Sequence, residues 1–196
     1  SGSIGTRSTE SNGWSTFISY IKQGFEHILP EGLDHILFVL GLFLLCRAWK
    51  PILIQVTTFT VAHTITLALA TPGYVSIAPR IVEPIIAASI AVVALENIFR
   101  PTYGRFRILL VFTFGLIHGL GFAQKLLDER IPSGSIVSSL LGFNIGVEFG
   151  QLAVIGLAVA ATFWIKDEEK YRGWVVIPAS AAIALAGLFW AYQRVA

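Results

Sequence analysis

Between positions 51 and 70 the chain runs for twenty residues with His63 as its only ionisable side chain. A bilayer core takes roughly 20 apolar residues per helix, and five further apolar runs flank this one, at 31–49, 81–99, 108–122, 136–165 and 174–192. Thr71-Pro72-Gly73 and Arg100-Pro101 punctuate the series where helices should stop. Hydrophobic residues make up 55% of the 196 positions and charged residues 13%, against about 25% charged in an ordinary soluble domain. The solvent for most of this surface is therefore lipid. The pattern predicts an all-α membrane protein, a bundle of about six transmembrane helices preceded by an amphipathic interfacial helix.

Three stretches follow from this. Residues 1–12 are expected to be a disordered N-terminus or, from Ser1-Gly2-Ser3, a cloning scar; a cleaved signal or a removed N-terminal extracytoplasmic domain also fits a start without Met. Residues 13–30 read as the interfacial helix, with Trp14, Phe17, Ile18, Ile21, Phe25 and Ile28 on one stripe. Residues 31–196 form the six-helix transmembrane domain, which Pro30 opens by disfavouring helical geometry at Leu29. Formal net charge +2 gives no reason to expect nucleic acid. The single Cys46 rules out an internal disulfide, and the absence of Met removes the thioether ligands of a Cu(I) site. Eight Lys and Arg residues, including the Arg100, Arg105 and Arg107 group, fall on one side of the six spans against six on the other. The positive-inside rule makes the first side cytoplasmic and puts both termini outside.

Ionisable groups at membrane depth cost several kcal/mol on insertion scales (~3 kcal/mol each) and are functional candidates by default. Asp34 and His35 stand about one turn into the first run; one could be a ligand and the other its support, or Asp34 could serve free helix-start N–H groups. His63 shares a face of the second run with Thr57, Thr60 and Thr64, which reads either as an ion path or as inter-helix hydrogen bonding. His118 is flanked by Gly115, Gly119 and Gly121, and Gly115 with Gly119 makes a small-xxx-small packing face. Asn144, Glu148 and Gln151 form a polar ridge of the fifth run, with Glu148 near mid-membrane. Glu83 stands at the outer end of the third run and Glu96-Asn97 at its other, interfacial end; His27 precedes the first run. Imidazole with carboxylate and no sulfur suits Ni, Co, Zn, Fe or Mn. Asp34, His35, His63, His118 and Glu148 are the candidate metal ligands, with His27, Glu83 and Asn144 as secondary ones.

The ordered series Gly32-Leu33-Asp34-His35, Ala62-His63-Thr64, Glu83-Pro84, Ala94-Leu95-Glu96-Asn97, His118-Gly119 and Gly146-Val147-Glu148 resembles the HupE/UreJ family of bacterial membrane proteins. The resemblance implies nickel or cobalt uptake by a secondary permease of the bacterial inner membrane, and Asp34, His35 and His118 as carried-over ligands. Two parts of the family pattern are not matched. His27 is one place off the position of a further His before the Asp-His pair, and Phe114 and Gly121 stand where a second His and a Glu would fall. The expected partners are the bilayer and a divalent metal ion (Ni, Co or Zn), as substrate or bound ion, with a homo-oligomer or a removed extracytoplasmic domain beside them. Two other functions stay open: an intramembrane zinc-dependent hydrolase using the same cluster, and a non-catalytic membrane partner of a metalloenzyme maturation complex.

Overall fold

The computed structural model describes residues 13–128 and 136–196, so the expectation for residues 1–12 lies outside the described residues. Among them every regular element is helical: α1 (Gly13–Ile28), α2 (Leu33–Leu45), α3 (Trp49–Ala70), α4 (Pro79–Phe99), α5 (Arg105–Asp128), α6 (Ile136–Thr162), the short α7 (Glu168–Tyr171), a π-helical turn (Arg172–Val176) and α8 (Ile177–Val195). The last three run on as one apolar stretch of 28 residues. Its π turn lies just ahead of Pro178, whose missing N–H leaves the helical ladder one bond short.

Five helical stretches are long and apolar enough to cross a bilayer, and a sixth crossing is made only if α1 and α2 count together across their 73° bend. The chain is a multi-pass membrane protein. The run expected over 31–49 is shorter than its hydropathy suggested. Its helix has 13 residues, about 20 Å at 1.5 Å per residue, against a hydrocarbon core of about 30 Å. Extended backbone at Cys46 and Ala48 ends it, and α3 begins at once. The expected run carries past Arg47 to Trp49, whereas the helix ends at Leu45.

The short α2 is the hub. His35, Phe38, Val39, Gly41, Leu42, Phe43 and Leu44 are all buried, the mark of a helix enclosed by others, and α3, α4, α6 and α8 pack around it. Outward faces are apolar: α3 exposes Ile54, Val61, Ile65 and Leu69 while burying Gln55, Thr60 and His63. That is the reverse of a helix in water and what a lipid solvent selects. The glycine face predicted on α5 is used as expected, since a Cβ at Gly115 or Gly119 would collide with the backbone carbonyl of Phe59 or His63 on α3.

The amphipathic α1 packs along the first half of α6. Cβ atoms at Gly24 or Gly146 would overlap the facing carbonyls of Phe143 and Ile21, so the two backbones touch. The contact face of α1 is Tyr20, Gly24 and Ile28, while Trp14, Ile18 and Phe25 of the expected stripe remain exposed. The turn after it is equally tight, because a Cβ at Gly32 would strike the His27 carbonyl. That close turn folds the end of α1 back over the start of α2.

Candidate metal centre

Three helices deliver three imidazoles to one point. His27 comes from the last turn of α1, His35 from the first turns of α2 and His63 from the middle of α3. One ligand nitrogen from each lies within 4.8 Å of the others. Imidazoles bound at 2.0–2.1 Å to a tetrahedral metal have nitrogens about 3.3 Å apart, so a slight contraction would close them on an ion. His35 is 6% exposed, His63 0% and His118 1%. Phe38, Phe59, Phe122 and Phe143 line the rings, with Phe122 centred 4.0 Å from His27 and Phe59 5.1 Å from His118. Water is thus largely excluded from around the nitrogens.

Two hydrogen bonds fix which nitrogen carries a lone pair. Asn144 on α6 donates its Nδ2 to the Leu140 carbonyl at 2.7 Å, which leaves its Oδ1 to accept from His63 Nδ1 at 3.4 Å. The proton of His63 is then on Nδ1, and Nε2 is buried with no hydrogen-bond partner. On α4, Ser89 donates to the Ile86 carbonyl at 2.6 Å, so its Oγ accepts from His118 Nε2 at 2.9 Å. His118 Nδ1 is then the bare nitrogen, buried and unpartnered, as is His35 Nε2. The His118 ring lies 4.9 Å from that of His35, beside the group of three. Buried nitrogens left without donors are costly unless a cation takes them, and hydrogen bonding of the second ring nitrogen is how metal-binding imidazoles are held. The donor set fits a borderline transition metal.

The carboxylates expected among the ligands lie elsewhere. Among the described residues only His27, His35 and His63 group closely enough to share an ion. Asp34 turns away from His35, as neighbours on a helix must, and pairs with Arg194 at the end of α8, 2.9 Å from Nη2. Glu148 accepts from Thr57 at 2.8 Å on a half-exposed flank between α3 and α6. The polar stripe of α3 and the ridge of α6 do face each other, with Thr60 donating to Gln151 at 3.2 Å. Glu83 is exposed at the rim. Conversely His27, a secondary candidate, is in the centre because the tight turn at Gly32 carries it there.

The centre opens towards the start of α2. A cavity of about 610 Å³ reaches from His27, His35 and His118 to a rim that includes Asp34, Glu83 and Arg194. At the opposite end of α2 the bundle is plugged by Arg107. This residue, expected among the cytoplasmic-face cations, is 0% exposed, and Glu96, expected at the interface, has a side chain 8% exposed. Every N–H group of the guanidinium is engaged: Nε with Gln55, Nη1 with the Glu96 carboxylate and the Val93 carbonyl, Nη2 with the Gly41 carbonyl and Asn97. Asn97 also donates to the Gly41 carbonyl at 2.8 Å and lines a second cavity of about 780 Å³, ringed by Cys46, Arg47, Lys166 and Arg172. The orientation expected from cation counting loses one member with Arg107. Ser89 gave no sign in the sequence, being one small polar residue in an apolar run. Arg107 and Arg194 gave a different one, since a cation at a span end is ordinarily read as topology.

Comparison with known proteins adds one finding. A family model described as HupE / UreJ protein matches residues 5–194. Neither a curated protein nor a solved structure matches the chain.

Proposed function

The chain belongs to the HupE/UreJ family, and from that premise we propose that it is a secondary permease carrying a divalent transition-metal ion, nickel or cobalt, into the cell. The observation that carries this reading is the convergence of His27, His35 and His63 beneath an open cavity. His118, its tautomer fixed by Ser89, lines the cavity beside the three. The ion is cargo, and three or four neutral nitrogens without a carboxylate bind it firmly enough for capture and weakly enough for release. Cavities at both ends of α2, parted by the layer around Arg107 and Asn97, support alternating access with the vestibule open and the far side shut. In this reading the Arg107 end is cytoplasmic, the vestibule and both termini face outward, and the membrane is the bacterial inner membrane.

Proteoliposomes holding the full chain should accumulate Ni²⁺ or Co²⁺, and His35→Ala and His63→Ala should each abolish uptake while the protein remains folded. Imidazole must be unprotonated to bind a metal. Half-saturating concentrations should therefore rise as pH falls. Uptake by both variants equal to wild type would sink the proposal.

A metal-dependent hydrolase is favoured by one observation, that three imidazoles with no carboxylate ligand leave open coordination positions facing a cavity of about 610 Å³. Stoichiometric zinc that survives purification and chelators, with no uptake of any of these ions, would move the assignment to that class.

A further inference from the structure

Arg194 occupies the last turn of α8, where a cation is ordinarily favoured by the helix dipole and left to solvent. Here it reaches across the mouth of the vestibule. Its Nη2 lies 2.9 and 3.2 Å from the two oxygens of Asp34, its Nη1 donates to the Glu83 carbonyl at 3.1 Å, and its guanidinium carbon is 5.9 Å from the Trp190 ring centre. One side chain thereby ties the starts of α2 and α4 to the end of α8. All four of these residues line the cavity that leads to His27, His35 and His118. The paired groups are 26% and 25% exposed, open enough for an ion in the vestibule to compete for the carboxylate.

We propose that Arg194 is the residue that sets the affinity and selectivity of cation capture, a tethered cation that holds Asp34 until a divalent ion displaces it. The inference rests on the metal-transport reading and adds a residue that acts before the imidazoles do. Asp34 and His35 line the same vestibule, so an ion that takes the carboxylate already stands in the cavity that leads to the buried imidazoles. A monovalent ion brings half the charge to a carboxylate already satisfied by a guanidinium, and loses that competition. Displacement also frees the Glu83 carbonyl from Nη1, so the ends of α2, α4 and α8 part together and the mouth widens as the ion passes.

The test is equilibrium titration of the detergent-solubilised full chain with Ni²⁺, Co²⁺ and Zn²⁺ by calorimetry, alongside uptake in proteoliposomes. Arg194→Gln should lower the half-saturating metal concentration about fivefold at low salt, the ratio that ~1 kcal/mol of a partly exposed pair represents. The gain should shrink as salt screens the wild-type pair. Arg194→Lys, which keeps the charge and loses the paired contact, should give roughly a twofold gain by the same conversion. It serves if the Gln variant does not fold. Asp34→Asn added to either variant should erase the gain. Unchanged half-saturation in both Arg194 variants, or a gain that survives Asp34→Asn, overturns the inference while leaving the imidazole site intact. A wild-type protein that binds none of the three metals brings down the transport reading, and this inference with it.

Discussion

Two arginine–carboxylate pairs stand at opposite ends of α2, and they differ in almost everything but chemistry. Arg107 and Glu96 are sealed in the bundle, with all the guanidinium donors bound to protein groups. Arg194 and Asp34 meet at a rim where about a quarter of each side chain remains exposed. Attraction between opposite charges strengthens as water is removed, and so does the penalty for leaving either charge alone. The first pair is therefore a lock that cannot be opened one partner at a time. The second can exchange its cation, because water and incoming ions can replace what the guanidinium supplies.

The largest effect expected from this contrast is on Arg107. Arg107→Ala strands Glu96 in the bundle and should cost about 3–5 kcal/mol, seen as a large loss of thermal stability in detergent and of folded yield. Arg107→Met combined with Glu96→Leu should recover part of that loss but not all, because the Gly41 and Val93 carbonyls lose donors. Full tolerance of Arg107→Ala would break the comparison. Next in size is the centre between the two pairs. Asn144→Ala removes the acceptor that fixes the His63 tautomer and should weaken metal binding roughly 10- to 100-fold with little change in stability, measurable in the same titration as the Arg194 variants. The smallest effect is at the rim. Arg194→Ala should change stability by about 0–1 kcal/mol, less at high salt. A loss as large as that of Arg107→Ala would show that the rim pair is a lock too.

Much of this molecule could be read from the chain before any coordinates. Lipid as solvent, the helical class and the series of apolar runs follow from uncharged stretches near bilayer length, and the glycine face of α5 follows from spacing alone. The end of α2 falls earlier than the sequence suggests, because Arg47 reads as a cation at a span end and carries the run to Trp49, whereas the helix stops at Leu45. The site was legible in its residue types and only partly in its membership. His35 and His63 stood out because an imidazole in an apolar run is expensive, and so did His118, which lies beside the group of three. Helix rotation decided the rest: it turned Asp34 to Arg194 and Glu148 to Thr57, and a tight turn at Gly32 brought in His27. No composition or periodicity encodes those angles. The function of a buried cation was hidden for a related reason, since Arg107 near the start of α5 looks the same in sequence whether its side chain points to headgroups or into the bundle.

The contact between α1 and α6 has a consequence for how the protein comes into being. The helix carrying His27 is made well before its partner, which begins at Ile136. At about 5–20 residues per second, more than a hundred residues separate the two by on the order of ten seconds. During that interval α1 has no glycine face to dock on, and the third imidazole has no fixed place. A nascent chain thus carries the ligands without the site. The three imidazoles are held together only once α6 has been made, so the cluster is a late product of assembly and not a property of the first helices alone.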